Sequence, residues 1–245
     1  MIEFAYKIVQ MIERFVVRYS LVGDKTFFNA ADFPWTSLLE ENWKTIRTEL
    51  DGILEYGDVL PNFQDISKDQ KALTTDDEWK TYFLYGFGFR AEKNCERCPE
   101  TARLVAQIPH MMTAMFSILS PGKHIPPHRG RFKGLLRCHL GLKVPEPKEN
   151  CRLRVGDDIR HWEEGKAILF DDTFNHEVWN DTDGQRVVLF IDVIRPFSQP
   201  VAFLNDMILK LVRRSPYVQD ALKNQRAWDQ RMEERDRHAW MHRAD

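Results

Sequence analysis

The sequence predicts a mainly β protein with an all-β barrel or jelly-roll core between two helical flanks. From residue 111 the apolar residues alternate with a period of two, in short runs separated by turn sequences such as "DTDG". On either side of this region, apolar residues recur at helical spacing. Five or more closely spaced strands are typical of a barrel or jelly roll, and seven tryptophans suit a β-rich core.

Composition excludes several classes of protein. Hydrophobic residues make up 43% and charged residues 29% of the 245 residues, as in ordinary globular chains. The net charge of −2 gives no indication of nucleic-acid binding. With no apolar run of 20 residues and no signal-peptide pattern, we expect a cytoplasmic protein, the alternative being a peripheral position at the inner membrane face. Nothing indicates the oligomeric state.

The flank of residues 1–105 is predicted to be mostly helical. Residues 1–20 form an amphipathic pattern, interpreted as a helix packed on the domain; contact with a membrane surface is the alternative. "FPWTSLLEENWKTIRTELDGIL" predicts one helix capped at Thr36 and stopped at Gly52. "EWKTYFLYGFGFR" predicts a strand broken at its glycines, and "PETARLVAQIP" predicts a short helix.

The predicted β core covers residues 106–197. Within it, the three prolines and two glycines of "SPGKHIPPHRG" predict a rigid loop that ends a strand. Residues 198–245 return to helical spacing and end in a charged tail that is expected to fray. No linker requires a second domain, so residues 1–245 are treated as one domain.

Four cysteines are present, two of them as the CxxC of "NCERCPE". A lone CxxC is a weak metal or redox signal, and reduced thiols are the expectation.

Titratable residues recur along consecutive β runs. In "LLRCHLGL", Arg137 and His139 share one face of the strand. His128 and His176 lie near the ends of two other runs, and Arg186 begins the last one. A barrel would bring these residues together. Two neutral imidazoles can bind Fe(II), and an arginine can bind a carboxylate through two hydrogen bonds, although each residue alone is more often structural.

Several spaced motifs agree with one family. "MFSILSPGKHIPPHRG", "LLRCHLGLKVP" and "WEEGKAILFDDTFNHEVWN", with the trailing arginine of "RVVLFIDV", resemble the aspartyl/asparaginyl β-hydroxylase family. The resemblance covers residues 111–197. It implies a double-stranded β-helix (a jelly-roll, cupin-like fold) and a dioxygenase that uses Fe(II), 2-oxoglutarate and O₂.

The resemblance also implies roles for seven residues. His128 and His176 are expected to bind the iron, and Asp172 to act near the metal through water. The 2-oxoglutarate pocket is expected to contain Ser117, Arg137, His139 and Arg186, with Arg186 on the cosubstrate's far carboxylate. His124 matches a family histidine that is not an iron ligand.

Gly130 stands where most such oxygenases carry an aspartate or glutamate. Within the family this glycine resembles aspartyl β-hydroxylase, whereas lipid A hydroxylases have aspartate there. The resemblance therefore implies a site with two histidines. The flanks, by contrast, are similar to bacterial lipid A and ornithine-lipid hydroxylases.

Three functions stay open at this point. The substrate is a peptide Asp/Asn side chain or a lipid acyl chain. The third hypothesis, from another class, is a cupin-like binding module without turnover. Retention of all the expected site residues argues against this third hypothesis.

Overall fold

A computed structural model describes residues 11–241 of the chain; for Asp58 and residues 235–241 it describes the backbone alone. The strands are β1 Phe27–Phe28, β2 Trp79–Gly86, β3 Phe89–Arg90, β4 Met111–Leu119, β5 His124–His128, β6 Leu135–Lys143, β7 Cys151–Val155, β8 Asp158–His161, β9 Ala167–Phe170, β10 His176–Asn180 and β11 Arg186–Ile194. The helices are α1 Trp35–Glu41, α2 Trp43–Leu54, α3 Phe63–Ile66, α4 Glu92–Arg97, α5 Pro99–Val105, α6 Val201–Arg213 and α7 Pro216–Met241. Residues 11–16 are also helical, and short 3₁₀ turns lie at Val17–Tyr19, Ala30–Asp32, Gly57–Val59, Lys68–Ala72 and Lys148–Asn150.

Two antiparallel sheets form the predicted double-stranded β-helix. The large sheet has the strand order β1-β9-β6-β11-β4-β2-β3, and the small sheet has the order β5-β10-β7-β8. The predicted β core is confirmed. The first three strands come from the flank that was predicted to be mostly helical, and they extend the large sheet at both edges.

Side-chain alternation divides the large sheet into an inner and an outer face. On β11, Val188 and Phe190 belong to the core between the two sheets. Leu189 and Ile191 belong to a second core, which the sheet shares with the helices. Because successive side chains of a strand point to opposite faces, even-numbered residues of β11 point into the barrel. This parity places Arg186 inside.

The predicted helix over "FPWTSLLEENWKTIRTELDGIL" is two helices, which meet at Asn42. The Asn42 side chain donates to the Leu38 carbonyl oxygen (2.8 Å), which competes with the helical hydrogen-bond pattern. The expected cap is wrong as well, because Thr36 lies inside α1 and donates to the Phe33 carbonyl oxygen (2.9 Å). Gly52 lies within α2 and does not end it.

The loop predicted for "SPGKHIPPHRG" is partly a strand. His124–His128 forms β5 at the edge of the small sheet, where it pairs with β10. An edge strand tolerates proline because one side of its backbone needs no ladder hydrogen bonds. The prolines therefore did not prevent strand formation.

The remaining flank predictions agree with the structure in most respects. The strand broken near its glycines is β2 followed by β3, and α5 begins at Pro99 as expected. All four cysteines are free and buried. The charged tail does not fray at once, because α7 continues to Met241. Residues 1–10 of the predicted first helix lie outside the described residues. Between residues 11 and 241, no helix combines the length and apolarity needed to cross a bilayer.

Candidate active site

Two histidines face each other at one end of the barrel. His128 is the last residue of β5, His176 is the first residue of β10, and the two are cross-strand partners with ring centroids 4.0 Å apart. The register shifts between this pair and the pair Ile125–Val178, so that β5 has one extra residue. Such a bulge lets Ile125 face the core while His128 faces the cavity, although their spacing breaks the alternation.

Local hydrogen bonds orient both rings. Nδ1 of His128 donates to the carbonyl oxygen of Pro126 (2.8 Å), and Nδ1 of His176 donates to that of Phe174 (3.1 Å). These bonds fix the tautomers and leave each Nε2 with a free lone pair. Burial lowers the pKa of His128, and burial together with the nearby His128 holds the pKa of His176 well below its usual value. Both imidazoles are therefore neutral near pH 7, as metal binding requires.

An arginine between two carboxylates lies beside the histidine pair. Arg137 on β6 contacts Asp172 (Nη2 to Oδ2, 2.9 Å) and Asp192 (Nε to Oδ1, 2.9 Å), and its guanidinium lies over the ring of Phe190. Burial raises the pKa of Asp172 to about 6, against the lowering effect of Arg137. This network holds the Asp172 carboxylate in place next to the site.

The Asp172 carboxylate also fills the space beside Gly130. A Cβ atom added at Gly130 would overlap the carboxylate of Asp172, and the Gly130 amide donates to the Asp172 carbonyl oxygen (2.6 Å). Among the side chains that the structure describes, no group of three or more from His, Cys, Asp and Glu is arranged to hold a metal ion.

Deeper in the barrel lies a cation that no described acidic side chain contacts. Arg186 is 1% exposed, and its Nε and Nη1 atoms have no hydrogen-bond partner among the described residues. Burial lowers its pKa to about 10. Its guanidinium lies over the ring of Trp162 (4.7 Å), whose Nε1 also lacks a partner, as do both ring nitrogens of His139. Buried polar groups are nearly always hydrogen-bonded, so this cluster of donors is chemically suited to an anion.

Aromatic contacts connect the histidine pair to this cluster. The Phe170 ring lies 6.0 Å from His176 and 5.0 Å from His139, which in turn stacks on Trp162 (6.0 Å). Ser117 on β4 is buried on the same inner face, and its Oγ accepts a hydrogen bond from Trp79 Nε1 (3.0 Å). The hydroxyl proton of Ser117 is free to donate.

Two adjoining cavities open beside these residues. The first has a volume of about 750 Å³; its lining includes His128, Gly130, Arg137, Asp172 and His176, with Leu209 and Val212 of α6. The second, of about 480 Å³ and here called the side cavity, lies beneath α7. Phe87 and Tyr217 line both cavities, with ring centroids 5.8 Å apart, so this pair forms part of the wall between them.

All seven expected site residues thus face the barrel interior or its mouth. His124 does not: its Nε2 contacts Glu177 Oε1 (2.8 Å), and its ring stacks on Trp179 away from the cavity. Sequence reasoning missed Asp192, Trp79 and Trp162. For Asp192 a signal existed, because it shares the inward parity of Arg186 on β11; no sequence pattern marked Trp79.

Fold and site together define a double-stranded β-helix protein with a histidine pair at the mouth of its barrel. The family model described as aspartyl/asparaginyl beta-hydroxylase matches residues 40–196. The chain therefore belongs to this hydroxylase family, as the resemblance predicted.

Named relatives fall into two groups. The chain is 44% identical to ornithine lipid ester-linked acyl 2-hydroxylase of Rhizobium tropici, covering 94% of this chain and 82% of that protein. It is 35% identical to human aspartyl/asparaginyl beta-hydroxylase over 66% of this chain, but spans 21% of the human protein. The Xenopus tropicalis protein aspartate beta-hydroxylase domain-containing protein 2 is 34% identical over 65% of the chain, which spans 44% of that relative.

Proposed function

We propose that this protein is an Fe(II)- and 2-oxoglutarate-dependent dioxygenase that hydroxylates a lipid acyl chain of the ornithine-lipid type. The observation that carries the cofactor proposal is the buried guanidinium of Arg186, which has no acidic partner in the part of the chain that the structure describes. A dicarboxylate entering the barrel would supply the missing charge and accept the unused hydrogen bonds.

The residues present fit both cofactors. His128 and His176 would hold Fe(II) through their free Nε2 atoms, since both are neutral and oriented by backbone carbonyls. Arg186, Ser117 and His139 would bind the far carboxylate of 2-oxoglutarate. When bound, the iron with 2-oxoglutarate and O₂ supplies the oxidation of a C–H bond, with succinate and CO₂ as coproducts.

Asp172 would act through water and not as a direct ligand. Its carboxylate is already held by Arg137, and Asp192 holds Arg137 from the other side. This arrangement leaves Asp172 able to accept a hydrogen bond from a water in the open part of the site. Because Gly130 adds no side chain, the Asp172 carboxylate can occupy the space beside it and stay next to the site.

Two observations favour an acyl chain as the substrate. The relative that matches nearly the whole chain is named for an acyl 2-hydroxylation. The side cavity next to the site has an apolar and aromatic part that includes Phe63, Phe83, Phe89 and Leu222, and charged residues such as Arg90, Glu92, Arg226 and Asp229 complete its lining. The apolar part is suited to an acyl chain.

The test combines spectroscopy with product analysis. Anaerobic addition of Fe(II) and 2-oxoglutarate should give a visible charge-transfer band, and ornithine lipid with O₂ should gain one oxygen atom in step with succinate release. His176→Ala should lose the band and the product. His124→Ala is the matched control, because its ring lies outside the cavity, and it should keep both.

Each other outcome contradicts a different part of the proposal. A band and succinate that survive His176→Ala would place the iron elsewhere. An oxygen gained by an Asp/Asn peptide and not by the lipid would overturn the substrate. Cofactor binding without turnover on either substrate class would favour the cupin-like binding module.

A further inference from the structure

Large apolar side chains are exposed mainly on two segments of the described protein. Met11, Ile12, Phe15 and Leu21 are 54–68% exposed in the N-terminal segment. Phe203, Leu204, Met207, Ile208 and Leu211 are 40–65% exposed on α6. Between residues 11 and 234, these nine belong to a set of twelve exposed large apolar side chains, so they are concentrated and not scattered. We refer to these nine residues as the apolar face.

Helical geometry makes the α6 part of this face a continuous stripe. Its five members recur at spacings of one, three and four residues, which places them side by side along one side of the helix. The opposite side holds α6 on the barrel through Val201, Asn205 and Leu209, all of which are buried. The stripe is therefore a second apolar side that packing within the described chain does not use.

The two segments are neighbours, and both reach the active-site mouth. Backbone hydrogen bonds join Leu21 to Pro196 (2.9 Å) and Ser198 to Tyr19 (2.8 Å), just before α6 begins. Glu13 pairs with Arg129 (2.9 Å), the residue after the site histidine His128.

Charge identifies the occupant of this face. Besides Arg213, whose guanidinium lies over the Phe89 ring (4.9 Å), residues 11–21 and 201–214 contain four basic side chains, Arg14, Arg18, Lys210 and Arg214. They contain two acidic ones, Glu13 and Asp206, in a chain whose net charge is −2. A second copy of the chain would bring like charges together. An anionic bilayer matches both features, because apolar residues insert at the headgroup boundary while Lys and Arg contact anionic headgroups.

We propose that the apolar face docks the protein onto an anionic lipid bilayer, with the mouth of the active site next to the membrane surface. In this position an acyl chain enters the cavity from the bilayer edge without crossing water. Docking itself needs neither iron nor turnover, so it can be tested independently of the proposed function.

Vesicle flotation of the full chain tests docking directly. Phosphatidylcholine vesicles with phosphatidylglycerol should carry the protein, and pure phosphatidylcholine vesicles should carry much less. Phe203→Ser combined with Leu211→Ser should weaken binding at least roughly tenfold, because two exposed apolar side chains no longer insert. Lys210→Gln combined with Arg214→Gln should weaken binding at low salt. Ile159→Ser, at a half-exposed isoleucine on β8, is the matched control and should bind as wild type does.

Three outcomes would overturn the proposal. The first is no vesicle binding by the wild type. The second is binding that Phe203→Ser with Leu211→Ser leaves unchanged. The third is a dimer in light scattering that this double variant abolishes, which would assign the face to a second copy. Unchanged circular dichroism and unchanged turnover of detergent-dispersed lipid would show that the double variant is folded and that its defect is one of docking.

Discussion

The carboxylate of Asp172 lies where a side chain at position 130 would lie, so that residue 130 has to be glycine for Asp172 to keep its contact with Arg137. A larger residue at position 130 would displace the Asp172 carboxylate, which could not move freely. This carboxylate is buried and bound to the guanidinium of Arg137, which Asp192 holds in turn. The glycine at position 130 is therefore needed for the arrangement of Asp172 and Arg137 at the mouth of the barrel.

Gly130→Ala should thus lower both stability and metal affinity. The added methyl group pushes Asp172 from Arg137, and overpacking of this kind costs about 1–3 kcal/mol in the free energy of unfolding. Urea denaturation measures the loss of stability, and titration with Co(II) as a spectroscopic probe measures metal binding. Gly52→Ala is the control: nothing lies within 4 Å of its added Cβ, and it lies inside α2. It should stabilise the protein by up to about 1 kcal/mol. Equal stability and Co(II) affinity for Gly130→Ala and wild type would contradict this account.

The sequence predicted most residues of the candidate site but not the residues that hold them in place. Strand alternation and the family motifs placed His139 and Arg186 inside a barrel, and the structure brings them to one interior. The partner of Arg137 was missed, because Asp192 reaches it through the register between β11 and β6. Trp79 reaches Ser117 from a strand outside the motif region. Register and packing between distant segments are properties of the folded chain, and local patterns do not contain them.

At the scale of elements, the same limit explains the errors in predicting secondary structure. Proline content predicted a loop over "SPGKHIPPHRG", but an edge position makes β5 compatible with two prolines. Helical periodicity predicted one helix where Asn42 divides two. The sequence patterns located both segments correctly. The Asn42 side chain and the edge position of β5 then determined where the helices and the strand begin and end.

Helix α7 covers the side cavity, and Ala221 is one of the residues that line it. Ala221→Trp should fill part of this space and shorten the longest acyl chain that the enzyme hydroxylates, while short chains react as before. Mass spectrometry of products from ornithine lipids with acyl chains of different lengths measures the shift. Ala227→Trp adds the same side chain at an exposed position of α7 that does not line the side cavity, so it should keep the wild-type profile. An unchanged profile for Ala221→Trp would mean that the acyl chain lies elsewhere.

At the scale of the whole molecule, strand β11 connects two buried arginines, one with and one without an acidic partner among the described residues. It lies at the centre of the large sheet, begins at Arg186 and ends just before Arg195. Both side chains are 1% exposed. Arg195 pairs with the buried carboxylate of Asp171 and donates to the Gly23 carbonyl oxygen (3.0 Å), whereas no acidic side chain among the described residues pairs with Arg186. The fold therefore buries one arginine with its charge paired and another whose guanidinium is supported by the ring of Trp162.

Substitution by methionine should affect the two arginines in opposite directions. Arg195→Met leaves the buried Asp171 with Lys133 (2.9 Å) as its remaining cation and should destabilise the protein by about 1–3 kcal/mol. Arg186→Met removes an uncompensated charge and should leave the ligand-free protein as stable as wild type or more so. Thermal unfolding measured without ligands distinguishes the two.

Ligand binding should then reverse the order of wild type and Arg186→Met. At 2-oxoglutarate and Co(II) concentrations of about 100 times Kd, each ligand should add roughly 2.7 kcal/mol to the free energy of unfolding of the wild type. Arg186→Met should gain much less, because one charged hydrogen-bonding partner contributes about 1.5–3 kcal/mol to binding. A structural arginine would give the opposite result, with Arg186→Met unstable in every condition and no difference in the ligand response. Arg186→Met should therefore be at least as stable as wild type without ligands and less stable with them. This reversal is expected only if Arg186 binds an anion that enters the barrel from solution.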